Sequence, residues 1–134
     1  NEKSERFIYS FDLTTKKLNE KPVYSLNVGD IAERARSFNI QQTDTNAKGV
    51  LRPFNFRPAS LSVHPITDDI YIISAADKLL LVMNRKGEII HMEPLNTTMF
   101  PKAEGITFLH DGTVIITNEA AGKTPTLFVF EMKQ

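Results

Sequence analysis

Oxygen-bearing side chains in the last third of the chain are the residues whose types could support chemistry. Glu104 begins one predicted strand, and Asn118 and Glu119 end the next predicted strand. Carboxylate and amide oxygens suit a hard cation such as calcium, which takes about six to eight oxygen ligands. The alternative is structural, because a glutamate at a strand edge can bind backbone amides or water. Glu104, Glu119 and Asn118 are therefore candidate metal ligands.

Other possible sites lack residues that their chemistry requires. Gly122-Lys123-Thr124 resembles the end of a phosphate-binding loop, but Thr117 stands where a glycine is needed and Pro125 follows instead of a helix. The absence of a G-x-S-x-G motif leaves serine hydrolase chemistry without support. The histidines are scattered and are expected to be turn or surface residues: His64, His91 and His110.

Charge and composition exclude several classes of partner. Sixteen basic and sixteen acidic residues cancel, so no net field attracts nucleic acid or an anionic membrane. The longest apolar run is Leu79–Met83, whereas a membrane-spanning helix needs about 18 apolar residues. Without cysteine the chain forms no disulfide and no thiolate metal site. We expect an unknown protein or small ligand as partner, no nucleic acid and no membrane-spanning segment.

The first part of the sequence predicts two strands, a short helix and a long connection. Alternating apolar residues predict strands at 7–13 and 23–28. Good helix formers at 29–37 predict one to two helical turns, with Asp30 as N-cap or first-turn acid. The polar stretch 38–56 predicts a connection long enough to be functional or mobile.

Short strands separated by turns dominate the rest of the chain. The predicted strands form a group of four followed by a group of three: 60–64, 70–74, 79–83 and 88–92, then 105–109, 113–118 and 127–132. Hairpin turns are expected at Arg85–Gly87 and at Asp111-Gly112. The two groups overlay at an offset of about 45 residues, which is typical of the blades of a β-propeller.

The predicted fold class is therefore all-β: a β-propeller fragment of about two to three four-stranded antiparallel blades, with a short helical insertion near 29–37. The alternative is a coincidental pair of meanders in a β-sandwich. The chain is expected to be a single domain, 1–134, with these parts: a blade remnant at 6–28, a helix and loop insertion at 29–56, a blade at 57–95 and an incomplete blade at 100–134.

Two blades and a fraction cannot close a ring, because propellers need about four to eight blades. We therefore expect the C-terminal portion of a longer propeller, which the remaining blades or a second copy of the chain would complete. Five aromatic residues are expected to form the core between blades: Phe7, Tyr9, Phe11, Phe128 and Phe130.

Several stretches resemble the SdiA-regulated family. The stretches 100–108 and 111–119, with their P-x-A-E-G and D-G elements, are similar to the terminal blade of that family. The stretches 58–65 and 80–88 are similar to the preceding blade. The resemblance covers about Pro58 to Phe130 and implies the C-terminal portion of an NHL-like β-propeller.

The resemblance also implies a calcium site near the propeller axis. Glu104 matches the glutamate of the family's E-G dipeptide, and Glu119 matches the glutamate that ends the second strand. One blade earlier, Ser60 and Ala76 stand where the pattern can carry acidic residues, so a carboxylate from every blade is not expected. Family members are bacterial envelope or exported proteins, which implies a periplasmic or envelope location, with any signal segment preceding Asn1.

The preferred hypothesis is a calcium-binding, non-enzymatic propeller that presents its face to a protein or small ligand. The alternative is a calcium-dependent hydrolase of esters or phosphoesters with an axial metal. A hydrolase would need an open metal coordination position and a titratable group near the reacting atom. A third possibility is that this portion of the propeller carries no site of its own.

Overall fold

A computed structural model describes residues 2–133, and most of its regular structure is β-strand, which confirms the predicted all-β class. A 3-10 turn at Glu2–Ser4 precedes the strands and the helix. In chain order these are β1 (Glu5–Ile8), β2 (Phe11–Asp12), β3 (Lys17–Leu18), β4 (Tyr24–Asn27), α1 (Val28–Ser37), β5 (Pro58–Val63), β6 (Ile70–Ser74), β7 (Leu79–Met83), β8 (Ile89–Pro94), β9 (Ala103–Phe108), β10 (Val114–Asn118) and β11 (Thr126–Phe130). Within residues 2–133, no helix is long and apolar enough to cross a bilayer.

The N-terminal hairpin comprises β1 to β4, residues 5–27. β1 pairs antiparallel with β4, and β2 pairs with β3 nearer the turn. The strand predicted at 7–13 is present as two pieces, β1 and β2, and the strand predicted at 23–28 is present as β4. β3 lies between them, where no strand was predicted. Ile8 packs towards the rest of the protein, whereas Phe7, Tyr9 and Phe11 lie at the surface. The prediction that these three aromatic residues form core is therefore wrong for the described chain.

Helix α1 is longer than predicted, with ten residues instead of one to two turns. Asn27 is its N-cap, since its side-chain oxygen accepts hydrogen bonds from the backbone N–H groups of Gly29 and Asp30. Asp30 is therefore the first-turn acid, one of the two roles that the sequence predicted. Ile31 and Ala35 are buried and anchor the helix to the core.

The connection between α1 and β5 has few regular elements but is partly anchored in the core. Phe56 is fully buried in the same cluster as helix α1. Arg6 of β1 fixes the end of this connection, because its guanidinium donates to the carbonyl oxygens of Phe56 and Asn55, each at 2.7 Å. The predicted long connection is thus confirmed, with its last residues held by the hairpin.

The central sheet contains β5, β6, β7 and β8 in that order, each antiparallel to the next. The C-terminal sheet has the same design with three strands, β9, β10 and β11. β5 begins at residue 58 and β9 at residue 103, 45 positions later. β6 begins at 70 and β10 at 114, 44 positions later, while β7 and β11 begin at 79 and 126. The predicted repeat is therefore present in strand order and spacing.

A β-bulge occurs at the same place in both sheets. In the central sheet Ala59 is the extra residue, because Pro58 lies opposite Ser74 and Ser60 lies opposite Ile73. In the C-terminal sheet the extra residue is Glu104. Its neighbours Ala103 and Gly105 lie opposite Asn118 and Thr117, respectively. Such bulges twist a strand and redirect its side chains.

The three layers of the protein stack face to face. One face of the central sheet packs on the N-terminal hairpin, α1 and the connection through these buried residues: Leu26, Ile31, Ala35, Ile40, Phe56, Ile70, Ile72, Leu79, Leu81, Met83 and Met92. A second buried cluster joins Ile73 of the central sheet to the C-terminal sheet and the segment before it: Ile73, Leu95, Phe100, Ala103, Ile106 and Ile116. Ile106 N–H also donates to Ser60 Oγ at 3.1 Å, so the first strands of the two sheets are neighbours. Leu61 and Ile106 lie in separate sheets, as the repeat requires.

Candidate functional site

The bulge in β9 brings two of the predicted ligands together with a lysine that the sequence analysis missed. Lys102 and Glu104 are two positions apart, and the end of β10 places Glu119 beside them. The backbone supports this arrangement, since Glu119 N–H donates to the Lys102 carbonyl oxygen at 3.0 Å. We call Lys102, Glu104 and Glu119 the carboxylate–lysine cluster.

The Lys102 ammonium contacts both carboxylates of this cluster. Its Nζ lies 3.2 Å from Glu104 Oε1 and also donates to Glu119 Oε2. The hydrogen bonds to Glu119 and then to Glu104 raise the pKa of Lys102 above its ordinary value. The hydrogen bond from Lys102 lowers the pKa of Glu119. At neutral pH the cluster therefore holds one ammonium and a firmly ionised Glu119.

The arrangement does not match a calcium shell as it stands. Calcium takes about six to eight oxygen ligands, whereas here an ammonium lies between the two carboxylates. Within residues 2–133, no three or more histidine, cysteine, aspartate or glutamate side chains group to hold a metal. Calcium would have to displace Lys102 from Glu104 and Glu119, so calcium binding at this position stays a prediction.

Asn118, the third predicted ligand, is in a different environment from the two glutamates. Its side chain is buried, with 4% of its surface exposed. Among the described residues, neither its amide nitrogen nor its amide oxygen has a hydrogen-bond partner. A buried polar group without a partner costs about 1–3 kcal/mol. Asn118 therefore lies inside the protein, while the glutamates and Lys102 remain solvent-accessible.

The central sheet carries neutral residues at the positions of the two glutamates of this cluster. The shared bulge makes Ala59 the counterpart of Glu104, and the 44-residue offset of β6 and β10 makes Ala75 the counterpart of Glu119. The counterparts taken from the sequence pattern, Ser60 and Ala76, were each one residue too late. The carboxylate pair therefore occurs in the C-terminal sheet and has no equivalent in the central sheet.

An open cleft of about 890 Å³ lies where the two sheets and the connection meet, and we call it the end cleft. Its lining includes Lys102 and Glu104 of the cluster, together with residues of the connection and of the β6–β7 turn. Six charged side chains line it, three of each sign: Arg57, Lys78, Lys102, Asp44, Asp77 and Glu104. A cleft with this lining suits a polar ligand that carries both charges.

The wall of the end cleft formed by the central sheet is held by hydrogen bonds. The buried Asp77 carboxylate accepts from Ser74 Oγ at 2.7 Å, from Asn55 N–H at 3.0 Å and from Gln42 Nε2 at 3.2 Å. Lys78 Nζ donates to the Pro101 carbonyl oxygen and thereby links the central sheet to the segment leading into β9. These contacts give the cleft a fixed shape on this side.

The histidines lie outside the end cleft. His64 is buried, and its Nδ1 accepts from the backbone N–H groups of Ile66 and Thr67, each at 3.2 Å, so it holds a turn as predicted. His91 is exposed, with its Nε2 3.2 Å from Glu93 Oε2. His110 is exposed in a turn, as predicted, and also does not line the cleft, so none of the three histidines is placed to act on a ligand there.

Comparisons of the chain with protein-family models, with curated proteins and with solved structures find no match in any of the three. A functional proposal therefore rests on the geometry of the end cleft.

Proposed function

We propose that this chain is a non-enzymatic binding module, built as an arc of a β-propeller, that binds a polar ligand or protein segment in the end cleft. The propeller assignment is supported by two meanders of the same strand order, about 45 residues apart and stacked face to face. The similarity to the SdiA-regulated family and the periplasmic or envelope location are consistent with this proposal and stay predictions.

The observation that carries the binding function is the charge of the end cleft. Arg57, Lys78 and Lys102 supply three cations, while Asp44 and Glu104 supply two anions. Asp77 also lines the cleft, but its carboxylate is already held by three hydrogen bonds within the protein. A ligand that alternates amines and carboxylates at close range matches this lining, because each charge can face one of opposite sign. A peptide segment with mixed charge has this chemistry.

Binding is favoured over the alternative of calcium-dependent hydrolysis by the state of the carboxylates. A general base works best when its pKa lies near the operating pH. Lys102 lowers the pKa of Glu119, so this carboxylate is a weaker proton acceptor than an ordinary glutamate. The groups at this position therefore suit electrostatic recognition better than proton transfer.

The test is an NMR titration of the isotope-labelled chain with a short peptide of alternating lysine and glutamate. We expect saturable shifts of amide signals around the end cleft, weakened by Lys102→Gln. The matched control is Lys86→Gln, which removes an exposed lysine in the β7–β8 turn, outside the cleft. Absence of saturable shifts, or shifts that map elsewhere, would contradict the proposal. Turnover of ester or phosphoester substrates with calcium present would favour the hydrolase.

Calcium binding is a separate part of the proposal and has its own experiment. If Glu104 and Glu119 can take calcium, Lys102 competes with the ion for both carboxylates. Calorimetric titration with calcium chloride should then show tighter binding to Lys102→Gln than to the unchanged chain. The double variant Lys102→Gln/Glu104→Gln should lose this gain in calcium affinity, because one of the two carboxylates is gone. If calcium binds none of these proteins, the metal role of Glu104, Glu119 and Asn118 is rejected.

A further inference from the structure

The side of the C-terminal sheet that faces away from the central sheet is largely uncovered. Strand register places its side chains in two rows, Thr107–Ile115–Val129 and Gly105–Thr117–Leu127. Leu127 and Val129 expose 59% and 55% of their surfaces, and neither row contains a charged residue. We call these two rows the outer face.

The same two rows exist in the central sheet, where a layer of this protein covers them. The matching rows are Ser62–Tyr71–Val82 and Ser60–Ile73–Leu80. Ile73 is fully buried and Val82 is 4% exposed. Tyr71 and Leu80 pack against the cluster that contains the C-terminal sheet. In the central sheet, these two rows are therefore buried beneath the C-terminal sheet of the same chain.

A second uncovered apolar surface lies at the other end of the stack. Phe7, Tyr9 and Phe11 alternate along the first half of the N-terminal hairpin and are each about half exposed, between 46% and 54%. Phe7 and Tyr9 contact each other, with ring centroids 6.5 Å apart. Glu5 lies on the same side but is already hydrogen-bonded to Ser25 and Asn27. We call the three aromatic residues the hairpin face.

We propose that copies of this chain associate head to tail, with the hairpin face of one copy covering the outer face of the next. The two surfaces are both apolar, lie at opposite ends of the stack and would repeat the layer contact that occurs twice within one chain. Because the two surfaces differ, the contact is heterologous and leads to a ring where the rotation closes. This inference goes beyond the ligand of the end cleft and does not depend on it.

The test uses one variant for each surface. Val129→Lys places a charge on the outer face, and Phe7→Lys places one on the hairpin face. In sedimentation velocity the unchanged chain should show a mass that rises above the monomer with concentration, whereas each variant alone should stay monomeric. Mixed together, the two variants should form a dimer and nothing larger, because only one pair of intact surfaces remains. Ile66→Lys, at an exposed apolar residue of a turn outside both surfaces, should leave association unchanged.

Several outcomes would overturn the proposal. A chain that is monomeric at every concentration would show that the faces do not bind each other. Association lost in Val129→Lys but kept in Phe7→Lys would show pairing of two outer faces instead, and the mixture would then contain dimers of Phe7→Lys alone and no mixed dimer. Circular dichroism checks that each variant remains folded. The peptide titration of the end cleft can be repeated on monomeric Val129→Lys, so failure of one proposal is distinguishable from failure of the other.

Discussion

The central and C-terminal sheets share one backbone design but end differently at the cleft. In the central sheet, the last residue of β6 is Ser74, whose hydroxyl donates to the buried Asp77. In the C-terminal sheet, the last residue of β10 is Asn118, whose side chain is buried without a hydrogen-bond partner among the described residues. The charges of the C-terminal sheet lie instead in the exposed carboxylate–lysine cluster.

This difference separates a buried charge, held by the protein, from charges that are open to solvent. A buried carboxylate with three hydrogen bonds, such as Asp77, is satisfied by the protein and has little left to offer a ligand. The cluster of Lys102, Glu104 and Glu119 is exposed, so its partners can be exchanged for those of a ligand at low cost. At the corresponding ends of the two sheets, the charge is thus buried and hydrogen-bonded in the central sheet and exposed in the C-terminal sheet.

The comparison predicts its largest effect on stability at Asp77 of the central sheet, measured against Glu104 of the C-terminal sheet. Asp77→Ala should lower the free energy of unfolding by about 3 kcal/mol, because it leaves the groups of Ser74 and Asn55 without their acceptor. Glu104→Ala should change stability far less, since its side chain is exposed. Urea unfolding of both variants measures the difference. Equal losses would show that both sheets use their carboxylates in the same way.

The next effect concerns two valines at matching positions of the repeat. Val82→Ala should cost about 2 kcal/mol, because it removes buried methyl groups and leaves a cavity. Val129→Ala in a dilute, monomeric sample should cost less than about 0.5 kcal/mol, since that side chain is exposed. Denaturant midpoints provide the measurement. A large loss at Val129 in the monomer would mean that the outer face is covered within the chain.

A smaller, stabilising effect is expected at Asn118. Asn118→Leu replaces a buried amide without partners by an apolar side chain of similar size. The free energy of unfolding, measured by thermal unfolding, should therefore rise by about 1 kcal/mol. Ser74→Val at the matching position should instead destabilise, because the Ser74 hydroxyl is bonded to Asp77. Loss of stability in Asn118→Leu would indicate that the amide binds something that residues 2–133 do not supply.

The smallest effect is a change in titration. The pKa of Glu119 in the folded protein lies below its ordinary value. The ion pair therefore contributes its full stabilisation at pH values above the ordinary glutamate pKa, and this stabilisation is lost as the pH falls through the lowered pKa. Lys102→Gln should move the pKa of Glu119 upwards, as followed by NMR of its side-chain carboxyl carbon. Lys86→Gln should leave it unchanged. An unaltered Glu119 pKa in Lys102→Gln would disprove the contact.

Local patterns were enough to predict the repeat. Period-2 alternation and the Asp111-Gly112 turn define strands of the right order, and the offset of about 45 residues follows from aligning them. The helix at 29–37 was predicted in place, although its cap is Asn27. These features depend on residues close together in the chain, which is why the sequence reveals them.

The site depended on features that local patterns do not define. The bulge that redirects Glu104 is defined by the strand register, which the sequence pattern does not give. Lys102 stands two positions before Glu104, a spacing that places two side chains on one face of a strand, and this signal could have indicated the ion pair. The exposure of Phe7 and Tyr9 depends on which layers lie above them, which alternation alone cannot specify.

Gly105 has a consequence for how the two sheets could have diverged. A methyl group added at this position would overlap Thr117 Oγ1, so residue 105 can enlarge only when Thr117 turns to another rotamer or is replaced. The central sheet carries serine and isoleucine at these two places, Ser60 and Ile73, paired across the same strands. A mutational route that enlarges residue 105 first must therefore turn the Thr117 side chain, whereas a route that replaces Thr117 first avoids this overlap.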